Sequence, residues 1–187
     1  MAETRQCLGV VLAGGRSTRM GRDKALLEWH GRPLIDHQLA LLRRAGAQQA
    51  RVSGDRPAWQ GIVDGLPDAG PLGGLLGVAR VVRGETDLLV VPVDMPLLTA
   101  PLLARLLAAR PEAACVRFSG HVLPMRWRLD ATGRQQLEHL AQQADPRQRS
   151  LRRLQQLAAC IEIDSDDGEA AQFTDCNTMS LWEKLHP

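Results

Sequence analysis

Residues 12–26 read L-A-G-G-R-S-T-R-M-G-R-D-K-A-L and directly follow an apolar run at residues 7–11 that is typical of a buried strand. Glycines allow the backbone to bend until successive N–H groups point into one concavity, which binds anions. The side chains of Arg16, Arg19 and Lys24 add full positive charge to the same segment. Such a loop at the end of a first strand indicates a polyphosphate site, and therefore a protein that handles a nucleoside triphosphate.

The spacing within this segment excludes two familiar phosphate-binding loops. A P-loop requires G-x-x-x-x-G-K-[ST], but two residues separate Gly21 from Lys24 and no Ser or Thr follows the lysine. A dinucleotide-binding loop requires G-x-G-x-x-G, but Gly14 and Gly15 are adjacent and neither has a glycine two residues further on. The segment therefore belongs to another class of phosphate loop.

That class is indicated by the pattern L-A-G-G-x-S-x-R-M-G-x-D-K-x-L, which resembles the opening of the nucleotidyltransferase superfamily. The paired glycines and the Asp23-Lys24 pair make the chain similar to the molybdenum cofactor guanylyltransferase family in particular. Relatives that transfer cytidylyl groups or activate sugar phosphates usually read L-A-A-G or lack the Asp-Lys pair. The motif specifies about ten positions, which makes it a specific match, and the resemblance extends over residues 8–178.

Length and composition are those of an ordinary globular protein. The 187 residues, with 44% hydrophobic and 24% charged residues and a net charge of +2, predict a single domain over residues 1–187, and the resemblance implies that it is a nucleotidyltransferase domain. We find neither a signal peptide nor an apolar run long enough to span a bilayer, so we expect a cytoplasmic protein with no membrane partner. Its four cysteines are far apart and indicate no zinc site, and three of them begin or lie in apolar runs, which predicts buried reduced thiols: Cys7, Cys115 and Cys160, with Cys176 as the fourth cysteine.

Strand-like and helix-like segments alternate along the whole chain. Strands are expected at residues 7–11, 50–53, 62–63, 88–93, 114–118, 122–127 and 160–163. Three helices are expected to begin near Pro33, Gly70 and Thr99, and three more are expected at residues 132–144, 150–159 and 181–185. This alternation predicts a three-layer α/β/α sandwich with a mostly parallel sheet. The resemblance implies the Rossmann-like sheet of the nucleotide-diphospho-sugar transferase type.

A second informative segment, V-V-P-V-D-M-P at residues 90–96, ends a continuous apolar run with Asp94. Ligands of parallel sheets bind outside the carboxyl ends of the strands, so the glycine loop and Asp94 should face one crevice. A carboxylate there is well placed to bind Mg²⁺ together with substrate phosphates. The resemblance to the family's D-M-P element implies that Asp94 is the metal ligand; the alternative is an aspartate that caps the following turn.

The resemblance also implies residues that bind the nucleotide. Residues 70–74 match the family's G-P-L-x-G element, and in the family an aspartate that contacts the nucleotide lies a few residues before it. We favour Asp64 as that aspartate, and Asp68 is the alternative. Each of the two is equally compatible with a purely structural role in a turn. Ser53 stands where guanylyltransferases of this group tend to have an asparagine, which leaves CTP open as the nucleotide. Asn177 matches the family's F-x-N-x-N-T-P closing element, although a helix-capping role competes.

Taken together, these matches predict a set of site residues. The backbone of residues 14–17 holds the triphosphate, Arg19 and Lys24 neutralise its charge, and Asp94 binds Mg²⁺. The complete prediction comprises the catalytic residues Lys24, Arg19 and Asp94, the nucleotide-binding residues Leu12, Ala13, Gly14, Gly15, Lys24, Ser53, Asp64 and Asp94, and the metal ligand Asp94.

The implied activity is transfer of GMP from GTP to the phosphate of the molybdenum-pterin cofactor, which yields its guanine dinucleotide and pyrophosphate. The alternative is a cytidylyltransferase or another nucleotidyltransferase with a different phosphorylated acceptor. Candidates to contact the acceptor are His121, Arg126 and Arg128, and proteins that deliver or receive the cofactor are possible transient partners.

Residues 117–153 contain eight arginines and three acidic residues. This excess of positive charge indicates either a solvated helical face or a landing surface for a phosphorylated substrate. Nucleic-acid binding through residues 147–153 is not expected because no aromatic side chains accompany the arginines.

Overall fold

The structure, a computed structural model, describes residues 5–14 and 23–185. The strands are β1 (Cys7–Leu12), β2 (Glu28–Trp29), β3 (Arg32–Pro33), β4 (Gln49–Ser53), β5 (Thr86–Pro92), β6 (Cys115–Phe118), β7 (Met125–Leu129) and β8 (Ile161–Ile163). The α-helices are α1 (Leu34–Arg44), α2 (Gly70–Val81), α3 (Ala100–Ala108), α4 (Ala131–Ala141), α5 (Leu151–Leu157) and α6 (Met179–Leu185). Across the described ranges, no helix has the length and apolar character needed to cross a membrane.

Six strands form one sheet in the order β4-β1-β5-β7-β6-β8, and β2 pairs with β3 in a separate hairpin. The pairs β1–β4, β1–β5 and β6–β8 are parallel, whereas β7 is antiparallel to both β5 and β6. Because only β7 is reversed within this sheet, the prediction of a mostly parallel sheet is confirmed. The register sets Leu12 beside both Ser53 and Pro92, so three strands end at the same level.

Helices cover both faces of the sheet. Successive side chains of a strand point to opposite faces, and both faces of β1 and β5 are buried, which explains their continuous apolar sequences. Val11 and Leu89 pack into one hydrophobic cluster with residues of α1, α3 and α6. Val10 and Leu88 pack into a second cluster with residues of α2, α4 and α5. The three-layer α/β/α prediction is therefore confirmed.

Two predicted strands differ from the structure. Residues 62–63 form no strand; Ile62 makes a single bridge to Ser53 at the end of β4. The strand predicted at residues 122–127 begins only at Met125, because the carbonyl of Val122 accepts a hydrogen bond from the Gln155 side chain (2.7 Å) rather than entering the sheet. Both deviations lie beside the carboxyl end of the sheet, where the chain turns.

The structure contradicts the prediction that Arg126 and Arg128 contact a second substrate. Arg126 is 1% exposed, and its guanidinium donates to the carbonyls of residues 109, 110 and 113 and lies 3.6 Å from the Asp87 carboxylate. Arg128 donates to the Pro111 carbonyl (2.7 Å) and lies 3.7 Å from the same carboxylate. Asp87 is near the amino end of β5, so both arginines lie at the end of the sheet opposite Asp94.

Another arginine of the 117–153 segment has a similar structural role. Arg134 donates to the carbonyls of Ala79, Val82 and Gly84, at and just beyond the end of α2. These carbonyls lack intrahelical partners, and a cation there is favoured by the helix dipole. The side chains of these three arginines donate hydrogen bonds to backbone carbonyls. The predictions of a solvated helical face and of a phosphate-binding surface therefore do not hold for Arg126, Arg128 and Arg134.

The buried position of Arg126 predicts that Arg126→Met lowers the free energy of unfolding by about 3 kcal/mol, because the substitution removes one partner of a buried ion pair. Chemical denaturation measures this loss. Arg147→Met, at an exposed turn, is the matched control and should change stability by less than about 0.5 kcal/mol. Weaker nucleotide binding by Arg126→Met with unchanged stability would contradict the structural role.

Candidate active site

A cavity of about 490 Å³ opens at the carboxyl ends of β1, β4 and β5. Two backbone hydrogen bonds beyond the strands keep these ends together: Ala13 N–H donates to the Ser53 carbonyl (2.8 Å), and Val93 N–H donates to the Leu12 carbonyl (3.1 Å). The cavity is lined by Leu12, Ala13, Gly14, Asp23, Lys24, Ala25, Ser53, Arg56, Asp64, Gly70, Pro71, Gly74, Pro92, Val93, Asp94, Leu123 and Asn177.

The predicted site residues within the described ranges all line this cavity: Leu12, Ala13, Gly14, Lys24, Ser53, Asp64 and Asp94. The remaining two, Gly15 and Arg19, lie outside the described residues. Residues as far apart in sequence as Leu12 and Asp94 are thus brought to one crevice by the parallel pairing of β1 with β5.

Backbone contact at the cavity wall depends on Gly54, which follows β4. Its φ of +128° lies in a region that side-chain-bearing residues rarely adopt, and a Cβ there would be 2.7 Å from the Gly14 Cα. Gly54 N–H donates to the Ile62 carbonyl (2.8 Å). A residue with a side chain at position 54 would therefore displace Gly14 from the end of β1.

Ser53 and α2 meet at Gly74. A Cβ at position 74 would be only 2.3 Å from the Ser53 Oγ, so α2 can approach the end of β4 only because residue 74 is glycine. Ser53 is 1% exposed. The second glycine of the G-P-L-x-G element therefore has a packing role that brings the start of α2, including Gly70 and Pro71, to the cavity.

Asp64 lies against the backbone of Gly14, since a Cβ at residue 14 would be 3.1 Å from the Asp64 Oδ1. Burial raises the pKa of this carboxyl group above its usual value. Its Oδ1 is buried, and no described residue donates a hydrogen bond to it. Asp68, the alternative candidate, is exposed on a turn with φ +58° and does not line the cavity.

Lys24 also lines the cavity and begins a short 3₁₀ helix at Lys24–Leu26. Its Nζ donates to the Asp94 Oδ2 (3.1 Å) and to the Asn177 Oδ1. Both charged side chains are mostly buried, with exposed fractions of 13% for Lys24 and 21% for Asp94. The three side chains form a cluster, the Lys24–Asp94–Asn177 cluster, in which a cation and an anion border the same cavity.

The C-terminal segment reaches this cluster through one backbone hydrogen bond, from Cys176 N–H to the Asp94 carbonyl (2.8 Å). The Thr178 Oγ1 accepts from Leu181 N–H (3.2 Å) at the start of α6. The predicted helix-capping role therefore belongs to Thr178, whereas Asn177 contacts Lys24 in the site. Burial, with a smaller effect of Asp94, raises the pKa of the Cys176 thiol to about 11, so the thiol stays protonated at neutral pH.

Sequence reasoning missed two residues that support the site. The Gln38 side chain, fully buried on α1, donates to the Met95 carbonyl (2.7 Å) and so holds the turn that follows Asp94. Arg56 lines the cavity and contacts Ala13 and Asp23. No local pattern distinguishes either residue, because each acts on a segment that is distant in sequence.

The residues present fit a magnesium ion held mostly by substrate. Within residues 5–14 and 23–185, no cluster of three or more His, Cys, Asp or Glu side chains could hold a metal by itself. Asp94 supplies one carboxylate at the cavity wall. Mg²⁺ typically takes one or two carboxylates and completes its shell with water and substrate phosphates, so one well-placed carboxylate is enough.

His121, predicted to contact the second substrate, lies between β6 and β7 in a loop whose Leu123 lines the cavity. The imidazole ring stacks on Phe173, with ring centroids 4.0 Å apart and planes inclined by 14°. Burial and the nearby Arg117 lower the pKa of His121, so the ring is neutral at physiological pH. A stacked neutral ring at this end of the sheet is compatible with contact to a heterocycle.

The buried carboxyl group of Asp64 has a consequence for stability. Because its pKa is raised in the folded state, folding takes up protons at Asp64 as the pH falls through that pKa, and the native state gains stability. Asp64→Asn should therefore be more stable than the native chain at neutral pH, and the difference should shrink under mildly acidic conditions. Urea denaturation across this pH range measures the effect, and Asp68→Asn, at an exposed position outside the cavity, is the matched control.

Comparison with known proteins agrees with this geometry. A sequence model of the MobA-like NTP transferase domain matches residues 9–160. The chain is 52% identical over 185 residues to a molybdenum cofactor guanylyltransferase of Xanthomonas euvesicatoria, an alignment that covers 99% of this chain and 97% of that protein. It is 32% identical over 200 residues to a molybdenum cofactor guanylyltransferase of Pseudomonas paraeruginosa, covering 96% of this chain and 94% of that one.

Solved structures share the fold. Molybdopterin-guanine dinucleotide biosynthesis protein A from Archaeoglobus fulgidus superimposes with a TM-score of 0.72 at 17% identity, over 95% of each chain. A CMP:2-keto-3-deoxy-manno-octonic acid synthetase complexed with CTP gives a TM-score of 0.64 at 18% identity, over 96% of each chain. These likenesses confirm the nucleotide-diphospho-sugar transferase type of sheet. From its sequence similarity over the full chain, the protein is a nucleotidyltransferase and belongs to the molybdenum cofactor guanylyltransferase family.

Proposed function

We propose that the protein transfers GMP from GTP to the phosphate of the molybdenum-pterin cofactor, producing the guanine dinucleotide cofactor and pyrophosphate. The observation that carries this proposal is the Lys24–Asp94–Asn177 cluster, which borders the same cavity as the glycine-lined end of β1. A cation and a carboxylate beside glycine backbone are the groups that a triphosphate and its magnesium ion require. The names of the similar guanylyltransferases support the choice of substrates.

The reaction joins one phosphate oxygen of the acceptor to the α-phosphorus of GTP. The bond from that phosphorus to the β-phosphate oxygen breaks, and pyrophosphate leaves with the electron pair. An acceptor phosphate is already an anion, so the chain needs no general base. Catalysis then consists of holding the reactants in line and neutralising the charge that develops on the phosphoryl oxygens.

The residues of the cluster divide this work. Lys24 supplies a positive charge for the α- and β-phosphates, and Asn177 and Asp94 orient its ammonium group. Asp94 is also the residue that would hold Mg²⁺. When bound, Mg²⁺ supplies Lewis-acid stabilisation of the phosphate oxygens. The predicted contributions of Gly15 and Arg19 to the triphosphate site remain part of the proposal.

Asp64 is the residue that we propose reads the base. Guanine presents two adjacent N–H donors on its Watson–Crick edge, and a carboxylate accepts both. The buried Oδ1 has no donor among the described residues, so guanine would satisfy a group that is otherwise costly to bury. Cytosine and adenine lack this pair of adjacent donors, which favours GTP even though Ser53 replaces the asparagine common in guanylyltransferases.

The acceptor would lie on the far side of the phosphates, toward the loop that carries His121 and Leu123. The stacked ring of His121 gives this side an aromatic surface. We propose that residues 1–187 act as one domain, because both hydrophobic clusters pack on one sheet. We place the protein in the cytoplasm, where GTP is available and its four free cysteines stay reduced. We expect transient contacts with proteins that deliver or accept the cofactor. We expect no contact with nucleic acid.

Replacing Lys24 tests the phosphate assignment. We expect Lys24→Ala to lower kcat at least about a hundredfold, because neutralisation of the transition state is lost, while the variant still folds and unfolds cooperatively on heating. Lys184→Ala, at an exposed position on α6, is the matched control and should retain full activity. Retention of native turnover by Lys24→Ala would remove Lys24 from the mechanism.

The function itself is tested by measuring pyrophosphate release with Mg²⁺, the molybdenum-pterin phosphate and GTP, CTP or ATP. GTP alone should support release. The Asp64→Asn variant sharpens the test, because an amide presents one acceptor and one donor and so matches xanthine better than guanine. This variant should lose activity with GTP and gain it with xanthosine triphosphate. Release with CTP instead of GTP would overturn the choice of base but not the class of reaction.

A further inference from the structure

The function proposed above leaves Arg56, a charged residue that lines the cavity, without a role. Arg56 follows β4, and among the described residues its guanidinium donates to Ala13 and Asp23. Its Nε and one terminal nitrogen donate to the Ala13 carbonyl (3.1 and 3.0 Å). Both terminal nitrogens donate to the Asp23 carboxylate, one of them at 2.9 Å from Oδ1. The Arg56 side chain is 16% exposed and the Asp23 side chain is 32% exposed, so this pairing is partly shielded from water.

Arg56 is therefore nearly saturated as a donor. A guanidinium has five N–H groups, and the contacts to Ala13 and Asp23 use four of them. Arginines that bind phosphate directly frequently present two parallel N–H groups to the ligand. Because these groups are already occupied, Arg56 is suited to holding two parts of the protein together rather than to gripping the substrate.

The two residues that Arg56 joins have a particular place in the chain. Ala13 directly follows β1, Asp23 directly precedes Lys24, and residues 14–22 lie between them in the sequence. The Asp23 Oδ1 also accepts from Ala25 N–H (3.1 Å) and so caps the short helix that begins at Lys24. A continuous series of contacts thus runs from Ala13 through Arg56 and Asp23 to the backbone of Ala25, the residue after Lys24.

From this arrangement we infer that Arg56 is a positioning residue for the nucleotidyl transfer, which sets Lys24 at a defined distance from the end of β1. Its guanidinium connects Ala13, where the backbone reaches the nucleotide cavity, with Asp23, whose carboxylate orients the turn that carries Lys24. This inference rests on the proposed function for the identity of the reaction, but the effect on nucleotide binding is independent of the acceptor.

The inference specifies what other variants should do. Lysine keeps the positive charge at position 56, but its compact ammonium on a flexible stem does not reproduce the rigid planar fork through which Arg56 makes four contacts. If Arg56 acted through its charge on the phosphates, Arg56→Lys would restore function. If it acts through geometry, lysine fails to restore it. Loss of the Asp23 carboxylate should then have nearly the same effect as loss of Arg56.

The test is a double-mutant cycle of Arg56→Gln, Asp23→Asn and the double variant, with Arg56→Lys beside them. Calorimetry gives the Kd of whichever of GTP, CTP or ATP the native chain binds most tightly with Mg²⁺, and pyrophosphate release gives kcat and KM. We expect Arg56→Gln to raise Kd about tenfold and to lower kcat about tenfold or more. The double variant should lose no more than the more affected single variant, because the two residues act as a unit.

Arg105→Gln is the matched control. Arg105 also bridges two acidic residues, Asp166 and Glu169, and does not line the cavity. Its loss should leave Kd and kcat within about twofold of the native values. Additive effects of the Arg56 and Asp23 variants, or recovery of native Kd by Arg56→Lys, would overturn the inference. If Arg56→Gln does not fold, the Kd and kcat values of Arg56→Lys and Asp23→Asn test the positioning role instead. If no acceptor reacts with the native chain, the proposed function fails, but the Kd values for the nucleotide still test the role of Arg56.

Discussion

Parallel pairing of β1 with β4 on one side and β5 on the other is the constraint on which this active site depends. The register places Leu12 level with Ser53 and Pro92, and the hydrogen bonds from Ala13 to Ser53 and from Val93 to Leu12 continue it past the strand ends. Three segments distant in sequence therefore open into one cavity. A slip of one residue in either pair would turn the side chains of that strand to the opposite face.

The cavity at the ends of these three strands has two different parts, one around the buried carboxyl group of Asp64 and one around the ion pair of Lys24 and Asp94. Asp64 lies where burial raises its pKa and leaves an acceptor oxygen without a donor among the described residues. Lys24 and Asp94 lie where opposite charges compensate one another at 3.1 Å. A nucleotide has the same division, with a base that offers neutral donors and phosphates that carry charge. The site is thus complementary to its proposed ligand before the ligand binds.

Much of the site could be predicted because its signals are local. Glycines and cations within residues 12–26, and an acid at the end of an apolar run at Asp94, are short patterns whose chemistry is fixed by residue type. The assignments of Arg126 and Arg128 to the second substrate were wrong, since position along the chain did not reveal that both side chains lie at the amino end of β5. The weak signal of Asn177, by contrast, led to a residue that contacts Lys24.

Local sequence was thus enough for the class of fold and for the predicted residues that line the cavity, because apolar runs and glycine-rich turns act over a few neighbouring residues. Contacts across the fold were needed to choose between Asp64 and Asp68 as the residue that faces the cavity, and to find Arg56 and Gln38 as supports for Asp23 and Met95. The physical reason is that a long polar side chain takes its partner from whatever the packed sheet and helices bring within about 3 Å.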